Sequence, residues 1–270
     1  MDGIVFYKMS GSGNDFIMLD GRHVDPAFLT EERVRTLCDR RLGVGADGLV
    51  LLTPAAPGEV RMDFWNCDGS RADMCGNAAL CSTRLAAHLE MAPGTGLKLV
   101  TRAGTFPVRC RPGAGELAEL NLPDFILPAP PPGLEPGPGE TPGCLATVGV
   151  PHLVVEVADL DRTDLMDRGR VLRHHSLLGP AGANVNFVAS REGRWLVRTY
   201  ERGVEGETLA CGTGAVAAAV ALVQSRKAQF PVELVTRSGR VLTITATVSA
   251  GRATQVWLMG EGRLVFTGVL

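Results

Sequence analysis

One seven-residue stretch is found twice in this chain in similar form, as Met74-Cys-Gly-Asn-Ala-Ala-Leu80 and as Ala210-Cys-Gly-Thr-Gly-Ala-Val216. A second pair follows at nearly the same separation, Leu99-Val-Thr-Arg-Ala-Gly104 and Leu234-Val-Thr-Arg-Ser-Gly239. A third pair precedes both, Gly45-Ala-Asp47 and Gly182-Ala-Asn184. Because the order and the spacing of the three pairs agree, the sequence predicts an internal duplication that produces two similar domains.

Each half is predicted to contain one dominant helix, which runs from Asn77 to Leu89 in the first half and from Thr213 to Arg226 in the second. The second helix is apolar on nearly all sides and is therefore expected at the centre of its domain. Short apolar runs bounded by Gly, Pro, Asn or Asp predict strands, for example Gly48–Leu52, Val185–Val188, Trp195–Tyr200 and Val241–Val248. The predicted fold class is α+β, with two pseudo-symmetric domains that each wrap a mostly antiparallel sheet around a buried central helix.

A segment rich in proline and glycine marks the expected domain boundary. Eight of the 17 prolines fall between Pro123 and Pro142, a composition that cannot sustain a helix or a central strand. We therefore expect an N-terminal half at residues 1–124, a linker at 125–143 and a C-terminal half at 144–257. The last strand, at about residues 258–270, is a candidate to complete the N-terminal half.

The composition excludes several classes of protein. The 270 residues are 45% hydrophobic and 21% charged, which is typical of a globular protein, and the net charge of -2 offers no basic surface for nucleic acid. The sequence contains neither an apolar run long enough for a membrane span nor the pattern of a signal peptide. We therefore expect a cytoplasmic protein with no nucleic-acid or membrane partner.

Seven cysteines are present, an odd number, and no C-x-x-C pair occurs among them. This pattern argues against a disulfide framework and against a metal site, so the cysteines are expected to be free thiols.

Two of these cysteines, Cys75 and Cys211, occupy equivalent positions directly before the glycine that opens each predicted helix. A helix N-terminus presents unpaired backbone N–H groups and a partial positive charge, which stabilise a thiolate and provide a seat for a substrate carboxylate. The glycines allow close approach to the backbone, and Asn77 and Thr213 add capping and hydrogen-bonding atoms.

A duplicated thiol predicts two-base chemistry at a carbon atom. One sulfur can remove a proton as thiolate while the other delivers a proton as thiol to the opposite face, which inverts the stereocentre. The helix N-termini would stabilise the charge that develops on the carboxylate. Pyridoxal phosphate normally supplies this electron sink, but no phosphate loop is present, since Gly11-Ser-Gly-Asn14 does not continue as G-x-G-x-x-G. No cofactor is expected.

The sequence resembles the diaminopimelate epimerase family in eight motifs that follow in the family's order. They are Lys8-Met-Ser-Gly-Ser-Gly-Asn-Asp-Phe16, Gly45-Ala-Asp-Gly48, Asn66-Cys-Asp-Gly-Ser70, Cys75-Gly-Asn77, Pro151-His152, Gly182-Ala-Asn184, Tyr200-Glu-Arg-Gly203 and Ala210-Cys-Gly-Thr-Gly214. The resemblance implies an isomerase that interconverts LL- and meso-2,6-diaminoheptanedioate, for lysine and peptidoglycan synthesis, without pyridoxal phosphate. It also implies a cytoplasmic homodimer. The small molecule that it binds would be its substrate, a diamino dicarboxylic acid.

The resemblance assigns roles to individual residues. It makes Cys75 and Cys211 the catalytic acid and base, and it places His152 and Glu201 beside the reacting centre, where they would hold the ammonium group and tune the thiols. The matching substrate-binding positions are Asn14, Asn66, Gly76, Asn77, Asn184, Glu201, Arg202, Gly212 and Thr213. A substrate with two ammonium and two carboxylate groups suits asparagines, which donate and accept hydrogen bonds, and one bidentate arginine.

The chain departs from some family members at Gly48 and Val150, where those members have Gln and Asn that would contact substrate.

Three other interpretations of the sequence compete with this resemblance. Proline racemases have Cys-Gly-His at the first cysteine, so Asn77 argues against them, whereas a histidine racemase stays open. Non-racemising isomerases of the phenazine-biosynthesis type share the fold without the cysteine pair. A binding or structural protein would give no reason for duplicated thiols at helix starts.

Overall fold

The computed structural model describes residues 3–110, 113 and 115–270. Its strands are β1 (Val5–Gly11), β2 (Asn14–Asp20), β3 (Gly48–Pro54), β4 (Glu59–Asn66), β5 (Arg71–Ala72), β6 (Leu97–Thr101), β7 (Gly104–Arg109), β8 (Leu117–Leu122), β9 (Phe125–Ile126), β10 (Cys144–Val148), β11 (Val150–Glu156), β12 (Asn184–Arg191), β13 (Arg194–Glu201), β14 (Gly206–Thr208), β15 (Val232–Val235), β16 (Val241–Ser249), β17 (Arg252–Glu261) and β18 (Arg263–Val269). Its α-helices are α1 (Glu31–Cys38), α2 (Gly76–His88), α3 (Leu165–Arg173) and α4 (Gly212–Gln224), and short 3₁₀ helices cover Pro26–Phe28 and Ser176–Leu178.

The chain folds into two units, Met1–Asn121 with Met259–Leu270, and Leu122–Leu258. In the first unit, β1 pairs antiparallel with β2 and β18, and β2 pairs parallel with β3. Strand β4 is antiparallel to β3 and β5 and parallel to β6, which pairs antiparallel with β7.

The second unit repeats this series of pairings. Strand β11 is antiparallel to β10 and parallel to β12, and β12 is antiparallel to β13. Strand β13 is then antiparallel to β14 and parallel to β15, which pairs antiparallel with β16. Both units therefore have the same order of parallel and antiparallel neighbours, which confirms the predicted duplication and the mostly antiparallel α+β fold.

Helices α2 and α4 are the buried helices of the two units. In each, nine of the 13 residues are buried, and the run Ala217–Val220 in α4 is completely inaccessible to solvent. Small side chains let the surrounding strands approach α4 closely, and extra methylene groups there would overpack the core. Both helices begin one residue before the predicted position. Helix α4 also ends earlier than predicted because Arg226 has a φ of 60°, which a right-handed helix does not allow.

Strand β3 shows why the apolar runs read so clearly in the sequence. Leu49 and Leu51 pack in a cluster with Val34 and Cys38 of α1, and Leu51's neighbour Val50 is equally buried. Because successive side chains of a strand point to opposite faces, this strand is covered on both sides. This coverage explains the unbroken apolar run Gly48–Leu52.

The segment expected to be a linker, residues 125–143, is part of the second unit. Strand β9 pairs with β17, where Ile126 lies opposite Arg252. Further along, the Glu140 carboxylate accepts two hydrogen bonds of 2.7 Å from Arg168. Burial alone would raise the pKa of Glu140, but Arg168 and the Gly137 N–H outweigh it and lower this pKa. The segment is therefore held in place by specific contacts despite its proline content. Across the described residues, no helix combines the length and the apolar character needed to span a membrane.

The contact between α3 and β13 generates a test of packing. A Cβ at Gly169 would lie 2.7 Å from Cβ and Cγ of the buried Tyr200. An exposed Gly→Ala change in a helix raises the free energy of unfolding by up to about 1 kcal/mol. At Gly169 the clash with Tyr200 outweighs this gain, so the change is destabilising. We expect Gly169→Ala to lower the free energy of unfolding by about 1–3 kcal/mol in urea titrations. In the control Gly206→Ala the new Cβ meets only Met166 Cε, at 3.9 Å, so stability should change little. A Gly169→Ala variant as stable as the wild type would show that α3 can move away from β13.

Candidate active site

The two cysteines singled out by the repeat occupy the N-cap positions of α2 and α4. Cys75 and Cys211 both have extended backbone, and neither side chain makes a capping hydrogen bond. The carbonyl oxygens of Cys75 and Cys211 accept the first bonds of their helices, from Ala79 N and Ala215 N, each at 2.9 Å. Each thiol therefore lies beside first-turn N–H groups that have no partner within the helix. Both thiols are partly exposed, as an acid or base requires.

Other cysteines have environments that keep them protonated. Burial raises the pKa of Cys38 to about 12 and that of Cys144 to about 11, and Cys81 is fully buried with a pKa well above the ordinary thiol value. A thiol with so high a pKa is a poor base near neutral pH. Cys38 and Cys81 are also buried, whereas Cys75 and Cys211 are partly exposed.

In the first unit, the start of α2 is joined to β2 by a pair of asparagines. Asn77 Nδ2 donates to Asn14 Oδ1 at 2.7 Å, and Asn14 Nδ2 donates to Asp47 Oδ2 at 2.9 Å. A carboxylate can only accept, so Asp47 fixes the orientation of the Asn14 amide, and Asn14 in turn fixes that of Asn77. The structure thus brings Asn14, Asn77 and the first turn of α2 together.

Charged residues that the sequence analysis did not assign to the site support this arrangement. Asp15 lies 2.7 Å from Lys8 Nζ, and Arg40 binds Asp15 at 2.6 Å and Asp47 at 2.8 Å. Burial alone would raise the pKa of Asp15, but hydrogen bonds from Arg40 and Lys8 outweigh it and hold this pKa below the usual carboxyl range. The signal was present in the sequence, since Lys8, Asp15 and Asp47 all fall within the quoted motifs.

Asn66 ends β4 and lies directly opposite Gly48 of β3. Its Nδ2 donates to Ser70 Oγ at 3.0 Å, so this amide closes the turn at Asn66–Ser70. The structure records no contact between the side chain of Asn66 and Asn14 or Asn77.

The glycine at position 48 has a structural cause. A Cβ there would lie 2.6 Å from both the Phe64 ring and the Trp65 carbonyl oxygen. The Phe64 ring therefore occupies the space that the Cβ of a glutamine at position 48 would need. Val150, the other departure from the family pattern, is the half-buried first residue of β11 and pairs with Val148.

In the second unit, Asn184 connects three predicted site elements. It pairs with His152 across β11 and β12, its Nδ2 donates to Pro151 O at 3.3 Å, and its Oδ1 accepts from Arg202 N at 2.7 Å. Asn184 is 4% exposed. The structure therefore places His152, Asn184 and Arg202 together, with the Asn184 amide hydrogen-bonded to the backbone of Pro151 and of Arg202.

Two titratable groups in this cluster are strongly affected by burial. His152 is fully buried, and burial together with the nearby Arg202 lowers its pKa to about 3, so its ring is uncharged near neutral pH. Burial raises the pKa of the Glu201 carboxyl at the end of β13. Desolvated groups with shifted pKa values are typical of functional sites.

The start of α4 adds two further features. Thr213 Oγ1 lies 3.7 Å from the Cys211 sulfur, within hydrogen-bond range for sulfur. Gly212 and Gly214 are both buried in the first turn of α4. Within the described residues, no group of three or more His, Cys, Asp or Glu side chains is arranged to hold a metal ion.

A family model and two sequence relatives carry the same description. The family model described as Diaminopimelate epimerase matches residues 6–118 and 144–265. The chain is 43% identical to the diaminopimelate epimerase of Gemmatimonas aurantiaca, covering 97% of this chain and 98% of that protein. It is 38% identical to the diaminopimelate epimerase of Aquifex aeolicus, covering 98% and 97%.

Solved structures show the same fold at low identity. The phenazine biosynthesis protein of the PhzF family from Enterococcus faecalis matches with a TM-score of 0.72 at 16% identity, covering 99% of each chain. A hydroxyproline epimerase from Agrobacterium vitis matches with a TM-score of 0.69 at 19% identity, covering 100% of this chain and 94% of that one. The fold is thus shared by enzymes of different function, whereas the sequence matches point one way: the chain belongs to the diaminopimelate epimerase family.

Proposed function

We propose that this protein is an isomerase that interconverts LL- and meso-2,6-diaminoheptanedioate by two-base proton transfer through Cys75 and Cys211. The observation that carries the proposal is the pair of cysteines at equivalent N-cap positions of duplicated buried helices. A nucleophilic cysteine would need a neighbouring base and only one copy. Inversion of a stereocentre needs one proton carrier for each face of the carbon, which a duplicated thiol supplies.

The α-hydrogen of an amino acid is far less acidic than a thiol, so the site must stabilise the carbanion. The first-turn N–H groups of α2 and α4, which helix geometry leaves without a partner inside the helix, are suited to bind the α-carboxylate, onto which the negative charge spreads. The thiolate takes the α-proton, the electron pair moves toward the carboxylate, and the thiol returns a proton from the opposite side. Atoms and charge balance without an external oxidant or a cofactor.

Charge complementarity supports the diamino dicarboxylate as substrate. Arg202 offers a bidentate fork for the distal carboxylate, and the nearby acids Glu205 and Glu207 are already paired with Arg173 and Arg198. Glu201 supplies a carboxylate for an ammonium group.

The contact between Gly48 and Phe64 suggests how this chain differs at the site. In this chain the Phe64 ring occupies the space beside Gly48, which leaves no room for a glutamine side chain there. We propose that the substrate is held here without a glutamine contact, with Asn14 and Asn77 providing the polar groups of the first unit.

A homodimer in the cytoplasm completes the proposal. Strand β18 exposes Val265, Phe266 and Val269, and the adjacent β1 exposes Val5. Exposed apolar side chains that adjoin one another on a sheet favour association with another protein surface. A second copy of the chain fits, since the surface is apolar and carries no excess charge of one sign at these four positions.

The substrate is tested by incubating the wild type with LL-diaminopimelate in D₂O. We expect conversion to the meso form with deuterium incorporated at the inverted α-carbon, followed by NMR and chiral chromatography. Histidine, which lacks the distal carboxylate, should react at least about 100-fold more slowly. Faster turnover of histidine would assign the enzyme to the rival racemase class, and inversion without deuteration would exclude the thiol mechanism.

Removing either proton carrier should abolish epimerisation. We expect Cys75→Ala and Cys211→Ala each to lower kcat by at least about 10²–10⁴-fold, because each leaves one face of the carbon without an acid or base. Cys144→Ala is the matched control, since burial keeps that thiol protonated, and it should retain nearly full activity. The two-base assignment fails if either alanine variant is folded by circular dichroism and keeps more than about a tenth of wild-type turnover.

The pH profile should report the ionisation of Glu201. Its pKa is raised by burial, so as the pH falls the carboxylate is neutralised earlier than an exposed glutamate. We expect kcat/KM to decrease on the acid side as Glu201 takes up its proton and ceases to bind ammonium. Glu201→Gln should be poorly active at all pH values and lack this acid limb, whereas Glu233→Gln, on the surface of β15, should behave as wild type. An unchanged acid limb in Glu201→Gln would assign it to another group.

A further inference from the structure

Asn186, in the middle of β12, is a fully buried amide with a fixed orientation. Its Nδ2 donates to Leu153 O at 3.1 Å, and its Oδ1 accepts from Thr199 Oγ1 at 3.0 Å. A backbone carbonyl can only accept, so the NH₂ group must lie on the side of Leu153. The two bonds therefore exclude the flipped amide.

The same NH₂ group lies 3.3 Å from Nδ1 of His152. Since an amide nitrogen only donates, Nδ1 of His152 must carry a lone pair, and the single proton of the neutral ring is on Nε2. In the described part of the chain, Nε2 is buried and has no hydrogen-bond partner. A buried donor without an acceptor is unfavourable, and a bound ligand with an acceptor atom would offset this cost.

The Asn186 amide also touches the helix that carries the second thiol. A Cβ at Gly214 would overlap Asn186 Oδ1 and lie 3.3 Å from the Cys211 sulfur. The last glycine of the Ala210–Gly214 motif is thus required by the close approach of this amide to the first turn of α4. Asn186 contacts both His152 and the beginning of the Cys211 helix.

We propose that Asn186, oriented by Thr199, is a positioning residue that fixes His152 as an Nε2–H hydrogen-bond donor and prevents it from accepting a proton or an ammonium hydrogen bond. The proposal rests on the proposed epimerase function and deepens it. With its lone pair covered at Nδ1, His152 can only donate, and it fits an anionic acceptor rather than the substrate ammonium. Glu201 is then left to bind the ammonium, and α-proton transfer is left to the thiols.

The tautomer can be measured without substrate. In full-length protein labelled with ¹⁵N-histidine, long-range ¹H–¹⁵N spectra distinguish a protonated from an unprotonated ring nitrogen. His152 is one of five histidines, and His152→Gln identifies its signals. We expect a protonated Nε2 and an unprotonated Nδ1 in the wild type at neutral pH. A protonated Nδ1, or a charged ring, would overturn the proposal.

Variants test the role of Asn186. Asn186→Asp replaces the donor with an acceptor, so we expect the proton to appear on Nδ1 and kcat to fall about tenfold or more, with a smaller change in KM. Thr199→Val should populate both tautomers, and the control Thr247→Val, in an exposed part of β16, should change neither spectrum nor rate. An Nε2–H signal that persists in folded Asn186→Asp contradicts the role of Asn186. Should Asn186→Asp not fold, the wild-type spectrum and Thr199→Val still decide.

The proposed epimerase function and the positioning role of Asn186 can be wrong independently of each other. If the wild type does not epimerise diaminopimelate but shows the Nε2–H tautomer that Thr199→Val disturbs, the proposed function is wrong and the positioning of His152 stands. If the enzyme is active and the tautomer is Nδ1–H, the positioning role is wrong and the two-thiol mechanism stands.

Discussion

The structure depends on one constraint, the backbone N–H groups that a buried helix cannot satisfy within its own first turn. Helices α2 and α4 are enclosed by their sheets, and neither Cys75 nor Cys211 caps its helix with a side-chain hydrogen bond. First-turn N–H groups placed in a protein interior need acceptors, and a carboxylate satisfies several of them at once. Under the proposed function, the α-carboxylate of the substrate would supply these acceptors.

The two units have different side chains at equivalent positions of one parallel strand pair. The parallel pairing of β2 with β3 aligns Asp15 with Asp47, and the parallel pairing of β11 with β12 aligns His152 with Asn184. The first unit neutralises its carboxylates with arginine and lysine. In the second unit the equivalent positions are the uncharged imidazole of His152 and the amide of Asn184. The two copies of the fold therefore have different polar groups at equivalent positions of their sheets.

Close packing of glycines fixes details that charge cannot. Gly214 lets the Asn186 amide reach the first turn of α4, and Gly48 lets Phe64 cover β3. Both glycines have ordinary backbone angles, so the requirement is space and not conformational freedom. Packing alone therefore requires a glycine at both positions.

The sequence by itself determined the duplication, the two central helices and the cysteines at their starts, because these rest on local patterns: repeated motifs, hydrophobic periodicity and residue type at a helix N-terminus. Only the tertiary structure revealed the orientation of side chains, since hydrogen bonds between Asn77, Asn14 and Asp47, or between Thr199, Asn186 and His152, join residues distant in the chain. Asn186 lies two residues beyond a recognised motif, yet nothing in its sequence context predicts its partners. The protonation of His152 and Glu201 also follows from burial, which depends on packing by the whole unit and is therefore not encoded in any single segment.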